Sequence, residues 1–285
     1  MVPFPSERPS SERSASHPRP GPDEARLSDV DEWGRSEHAR RLARLAGRFY
    51  YRRWFRVEWE HLERIPASGG ALLIANHGGA VPPDAPMIMH GIEEELGRPV
   101  YGLADNWFRT VPFGGTIWSR AGGVPAHPDN AHRLLHDQQQ LVLVFPEGVK
   151  GPSKHMSERY QLRRFGRGGF VETAMRAGVP VVPIASVGAE EAMPVLYKLP
   201  VARLLKVPYF PVTVNHLVYG PLLGTVTYLP AKLRFRVLEP VRFDVEPGLA
   251  RYPRGRILEE AEAIRADLQA NLFDMLSKRR SVWFG

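Results

Sequence analysis

The chain has no cysteine among its 285 residues, which excludes a disulfide framework, a thiolate-ligated metal and any covalent intermediate carried on sulfur. Lysine is also scarce: only Lys150, Lys154, Lys198, Lys206, Lys232 and Lys278 occur, so almost all the positive charge is arginine. Long apolar helical runs are missing as well. The longest stretch without Asp, Glu, Lys or Arg, Val207 to Ala231, contains Pro208, Pro211, Pro221 and Pro230 with Gly220 and Gly224, residues that should break any helix there. A surface-seated or re-entrant segment fits it better than a membrane span. The Gly-x-Ser-x-Gly turn of serine hydrolases does not occur. His132 and His136, one helical turn apart and near His127, lack the intervening Glu or second pair that a zinc helix uses, so no metal site is expected.

What is present is a chain 43% hydrophobic and 24% charged, with net charge +7, a composition that suits one large globular domain. A pI near 9.8 favours anionic partners: phospholipid headgroups, phosphorylated substrates, acidic carrier proteins or nucleic acid. No recognised nucleic-acid-binding motif occurs, so the last of these is set aside. Residues 1–30, with Pro3, Pro5, Pro9, Pro18, Pro20 and Pro22 among Ser and Arg, read as a disordered tail that is neither a secretory signal nor a span. Residues 31–285 read as a single domain.

From Glu37 to Val57 apolar residues recur at helical spacing, Leu42, Leu45 and Phe49 on one track, Tyr50, Trp54 and Val57 on the next. Arg40, Arg41, Arg44, Arg48, Arg52, Arg53 and Arg56 lie among them. Such an amphipathic helix suits a bilayer interface, aromatics buried and guanidinium groups on phosphates. It equally suits a helix packed on the domain with a solvated arginine face. Beyond it, Ala71–Ala75, Val100–Ala104, Leu141–Phe145, Val179–Ala185 and Leu233–Leu238 read as strands, most of them buried on both faces. Helices are expected after Asp84, after Asp129, from Gly168 to Ala177 with Gly178 as cap, and from Arg254 to Leu276. The alternation predicts an α/β fold, a mixed sheet flanked by helices.

In such folds reactive groups gather beyond the carboxyl ends of the strands. Asn76 and His77 follow one strand there, with Asp84 shortly after, and Phe145, Pro146, Glu147 and Gly148 follow another. Singly, each has a plain structural role: Asp84 as a helix cap, His77 as a hydrogen-bonded loop residue, Glu147 as part of a turn. Together they offer an imidazole and two carboxylates to one crevice. This set resembles the phospholipid/glycerol acyltransferase family of the lysophosphatidate acyltransferase type. Asn76 to Asp84 matches its first motif and Phe145 to Gly148 its third. Ser119-Arg120-Ala121-Gly122-Gly123-Val124 resembles the second, and Val181-Val182-Pro183-Ile184-Ala185 the fourth.

The resemblance implies a glycerolipid acyltransferase-like αβ sandwich. It also implies transfer of a fatty-acyl group from acyl-CoA or acyl carrier protein to a hydroxyl of a glycerolipid or lysophospholipid, with no permanently bound cofactor. His77 would serve as general base and Asp84 would fix its tautomer. Glu147 would orient the acceptor or an arginine, with Asn76, Phe145, Pro146 and Gly148 beside it, while Arg120, Lys150, Arg163, Arg164 and Arg167 would hold phosphates. Val195 to Leu229 would line an acyl groove or seat the enzyme. Peripheral attachment to the cytoplasmic face of an anionic membrane follows from the charge and the helix. Two departures stand out. Six residues separate His77 from Asp84 where the usual pattern has four, as in a subgroup related to mono- and diacylglycerol acyltransferases, and Val149-Lys150 replaces the usual Thr-Arg. A non-catalytic lipid-binding protein on the same fold is the alternative, favoured if His77 and Asp84 point apart.

Overall fold

The computed structural model describes residues 29–104, 114–199 and 210–285. The expected tail falls almost wholly outside them, as does part of the charge-free segment. The chain order is α1 (Glu37–Phe49), β1 (Glu58–Glu60), β2 (Ala71–Ala75), α2 (Asp84–Leu96), β3 (Val100–Ala104), α3 (Gly114–Arg120), β4 (Gly123–Pro125), α4 (Pro128–His132) and β5 (Leu141–Val144). There follow α5 (Gly169–Ala177), β6 (Val181–Val187), α6 (Ala189–Ala192), β7 (Val195–Leu199), β8 (Phe210–Thr213), α7 (Val214–Leu223), β9 (Arg234–Val237) and α8 (Arg254–Ser277).

Seven strands form one sheet in the order β1-β9-β6-β2-β5-β3-β4. Neighbours run parallel except β6 and β9, where Ile184 faces Val237 in an antiparallel pair. The centre explains itself from sequence. Successive side chains of β2 alternate: Leu72 and Ile74 enter a core with Val171, Leu268 and Leu272 of α5 and α8. Leu73 and Ala75 enter a second core with Ile88 and Ile92 of α2 and with Tyr51 and Phe55. A strand covered on both faces needs an unbroken apolar run, and Ala71–Ala75 is one. The strands expected at β2 and β3 match residue for residue, and those at β5, β6 and β9 differ only at their ends.

The charge-free segment departs from expectation. It holds the short helix α7, which survives Pro221 because the chain kinks at Gly220, φ +82°. Thr213 and His216 cap its start, and Asn215 Nδ2 donates to the Thr227 and Ala192 carbonyls at 2.7 and 3.0 Å. No helix among the described residues is long and apolar enough to cross a membrane. The antiparallel pair β7–β8 precedes it.

The amphipathic helix is the larger surprise, because α1 turns its charged side inward. Arg40 is buried and pairs with Glu93, which also holds Arg44 at 2.8 Å. Arg48 and Arg52 reach Glu94 at 3.3 and 2.9 Å. Leu42, Leu45 and Phe49 face outward, 58%, 70% and 52% exposed. The expected packing on the domain is met, with Arg40 and Arg44 paired to Glu93, while Arg48 and Arg52 reach Glu94 from exposed positions and Arg41 and Arg53 stay exposed, so the arginine face is only partly solvated. The expected burial of Tyr50 and Trp54 is met in part, because both pack against Tyr228, Tyr50 ring-to-ring and Trp54 through Nε1–H on its carbonyl. Arg40→Met should therefore cost about 1.5–3 kcal/mol of unfolding free energy, the usual worth of a hydrogen bond to a charged group. Arg41→Met, at an exposed position, should stay within about 0.5 kcal/mol. Paired denaturant titrations check the contrast.

Candidate active site

β2 delivers its last residues to the carboxyl edge of the sheet. Asn76 is buried and spends its side-chain amide on β6, donating to the Ser186 carbonyl at 2.9 Å and accepting from its N–H at 2.7 Å. That latch fixes the exit direction of the chain, and His77 follows with 18% of its side chain exposed. The six intervening residues fold back through Gly79, φ +82°, while Ala80 N–H donates to the Met193 carbonyl at 3.0 Å. Asp84 then opens α2 with its side chain fully buried. The longer spacing is absorbed by the loop and does not part the pair.

His77 Nδ1 lies 2.8 Å from Asp84 Oδ1. The same carboxylate accepts the Ala85 N–H at 2.7 Å and, through Oδ2, the Gly78 N–H at 3.0 Å. Asp84 also sits at the positive end of a 13-residue helix, where a carboxylate is favoured. An acceptor so placed makes Nδ1 the protonated nitrogen and leaves the Nε2 lone pair free. Phe145 stacks on the imidazole, centroids 3.8 Å apart and planes 23° from parallel, so the ring is held on its face as well as by its hydrogen bond. Gly151 closes over the His77 backbone: a Cβ there would lie 2.8 Å from the His77 carbonyl oxygen.

The other expected residues divide. Glu147 does not face an open site, because its carboxylate is sealed and accepts the Arg163 N–H at 2.8 Å while reaching the His77 N–H at 3.5 Å. Pro146 is half-buried, and Gly148, Lys150, Arg163, Arg164 and Arg167 are exposed. Arg163 spends its guanidinium on Glu158 at 2.7 Å. Arg120 is not brought to the dyad. It ends α3 just before β4, whose Gly123 is level with Gly102 of β3, and its carbonyl accepts the Ser36 N–H. That places it toward the amino end of the strands, opposite His77. His132 and His136 lie ring to ring, 5.0 Å apart, and His136 Nδ1 sits 3.1 Å from the Ala177 carbonyl. Among the described residues no group of three His, Asp or Glu could hold a metal.

Two neighbours escaped the sequence. Lys154 is buried between Glu147 and Glu190. Tyr228 packs on Tyr50 and Phe55 on one side and joins the Ala80, Met193 and Val195 cluster behind the His77 loop on the other. Burial, then the nearby Asp84 charge, pushes its phenol up. Neither residue sits in a periodic pattern, so nothing local announces its burial.

A His–Asp pair at the carboxyl edge of a mostly parallel sheet, with Phe-Pro-Glu-Gly beside it, is the arrangement expected of an acyltransferase. The chain belongs to the phospholipid/glycerolipid acyltransferase family, and residues 56–187 match the family model named Acyltransferase. An uncharacterized protein of Mycobacterium tuberculosis (strain H37Rv) is 37% identical over 266 residues, 90% of this chain and 72% of that one. The Bos taurus "DGAT1/2-independent enzyme synthesizing storage lipids" is 26% identical, covering 67% of this chain and 54% of its own. "Phytyl ester synthase 2, chloroplastic" of Arabidopsis thaliana is 29% identical over 46% of this chain and 19% of its own. The fold is that of the crystal structure of the 1-acyl-sn-glycerophosphate acyltransferase PlsC from Thermotoga maritima, with TM-score 0.51 and 18% identity, covering 83% of this chain and 78% of that one.

The close packing on His77 generates a prediction. Gly151 has an ordinary φ of −63°, so alanine there strains no backbone but must push on His77. Gly151→Ala should lower kcat of acyl transfer at least tenfold, about 1.4 kcal/mol, with little change in Tm. Steady-state rates beside a thermal melt check it.

Proposed function

We propose that the protein transfers a fatty-acyl group from a thioester donor, acyl-CoA or acyl carrier protein, to the hydroxyl of a glycerolipid or lysophospholipid. The 2.8 Å contact between His77 Nδ1 and Asp84 carries this reading, since a non-catalytic lipid-binding protein has no use for an imidazole so oriented. His77 Nε2 accepts the acceptor's hydroxyl proton as the oxygen attacks the thioester carbonyl. The tetrahedral intermediate then expels the thiolate, the C–S bond breaks, and the imidazolium returns the proton to sulfur. Ester and free thiol leave, and the dyad is restored. General-base help of this kind contributes roughly 10²–10⁴-fold, and positioning of the two substrates supplies much of the remainder.

The acceptor follows from what succeeds Phe-Pro-Glu-Gly. An arginine there would clamp a phosphate through two parallel hydrogen bonds, whereas Val149 and Lys150 are exposed and offer at most a point charge. Phosphate contacts then rest on Lys150, Arg163, Arg164 and Arg167. Relatives named for storage-lipid and phytyl-ester synthesis favour an uncharged alcohol. Neutral mono- or diacylglycerol, or a lysophospholipid with a substituted headgroup, should be acylated at least as well as lysophosphatidate, and Asp84→Asn should lose most of that activity. Mass spectrometry of the esters formed, with kcat/KM for each acceptor, tests this. A tenfold preference for lysophosphatidate, about 1.4 kcal/mol, would overturn the acceptor assignment, and no ester from any acceptor would overturn the whole.

The lipid substrate calls for a membrane seat, and the inverted α1 supports one of apolar character, on the cytoplasmic face. Leu42, Leu45 and Phe49 point outward, and on α7 and just beyond it Leu217, Leu222 and Val226 are 74%, 82% and 67% exposed. Phe49 contacts Trp54, whose Nε1–H donates to the Tyr228 carbonyl at 3.2 Å, so the two patches adjoin across that pair. With Arg40, Arg44, Arg48 and Arg52 already paired, docking is expected to be weakly salt-dependent. In vesicle flotation, Phe49→Glu with Leu222→Glu should release the protein while 1 M salt leaves most of it bound. Release by salt with retention of the Glu variant would reverse the account.

A further inference from the structure

Lys154 lies outside every motif that the sequence offers, yet its side chain is 1% exposed. Lysine is almost never sealed in this way unless it is paired. Its Nζ stands 3.1 Å from Glu190 Oε1, 3.4 Å from Glu147 Oε2 and 3.4 Å from the Gln161 carbonyl. The Glu147 side chain is itself 0% exposed and that of Glu190 6%, so two buried carboxylates share one ammonium.

Each carboxylate holds a different piece of the site. Glu147 accepts the Arg163 N–H at 2.8 Å and touches the His77 N–H at 3.5 Å. Glu190 accepts the Tyr160 N–H at 3.0 Å and packs against Gly78, where a Cβ would come within 2.2 Å of its Cγ. Both residues flanking the bond between His77 and Gly78 are thus braced by carboxylates that Lys154 neutralises. Other charges face the cluster. Glu191 is held by Arg279 at 2.9 Å and by the Tyr160 hydroxyl, Arg265 acts on Glu147 through its field, and the Arg163 guanidinium turns away to Glu158. Beyond Gly78 stand His77 and Asp84 themselves. Burial pushes Glu190 up to about 7 against the pull of Lys154, so one carboxylate of the pair is only just held as an anion.

We propose that Lys154 is a positioning residue for acyl transfer: its ammonium holds the buried Glu147 and Glu190 carboxylates together, and Glu147 in turn holds the His77 backbone so that Nε2 faces the acceptor. Without the ammonium, two buried carboxylates lose the cation they share and move apart, the hydrogen bonds from Glu147 to two backbone N–H groups weaken, and the loop carrying the base slackens. This rests on His77 being the base.

The test uses Lys154→Met together with Lys154→Met/Glu190→Met, which replaces an ion pair by apolar groups of similar volume, an exchange buried pairs often tolerate. Hydrogen exchange needs no substrate. Peptides spanning residues 76–84 and 160–163 should exchange at least tenfold faster at pH 7 in the variants, with residues 141–144 unchanged. In acylation of monoacylglycerol by a long-chain acyl-CoA, kcat should fall at least tenfold, with KM within threefold. Exchange as in the wild type, or a rise in KM with kcat unchanged, would reduce Lys154 to a space-filling role and overturn the proposal. Should the wild type acylate no acceptor, the reading of His77 fails while the exchange experiment still tests the clamp.

Discussion

Asp84 is a carboxylate with no exposed surface, at the first turn of α2, and its oxygens carry donors from His77, Gly78 and Ala85. Leaving such a group unpaired in the interior would cost several kcal/mol, so the surrounding chain is constrained to bring those donors to it. His77 is one of them, and the hydrogen bond that satisfies Asp84 also sets the direction of the imidazole. The Asn76 latch on Ser186, the Phe145 stack and the Gly151 contact all act on a ring whose direction that hydrogen bond has already set.

The central strands were legible because burial on both faces leaves an unmistakable apolar run, as at Ala71–Ala75 and Val100–Ala104. The three-residue strands Glu58–Glu60 and Gly123–Pro125 were not, since edge strands that short carry no period. The pairing of His77 with Asp84 could be read from its motif, and the unusual six-residue spacing proved to be a matter of loop path. What sequence could not give was direction. Glu147 reads as a rim residue in a turn, yet it points inward because Lys154 and the Arg163 N–H wait there, seven and sixteen positions on. The arginines of α1 read as a solvent or lipid face until Glu93 and Glu94, more than forty residues away, are brought alongside.

That inversion joins the fold to the reaction. A helix that spends its charges on its own domain leaves leucine and phenylalanine outside, an arrangement unfavourable in water and favourable against lipid. Tyr228 connects this surface to the loop behind His77, with Tyr50 and Phe55 on one side and Ala80 and Met193 on the other.

The central claim is that the His77 imidazole moves the acceptor's proton. Its most direct measurement is the turnover of His77→Ala with the best acceptor and donor pair, taken beside circular dichroism and vesicle binding. The account predicts a loss of about 10²–10⁴-fold with fold and membrane binding intact. A well-folded His77→Ala protein that turns over near the wild-type rate would contradict it.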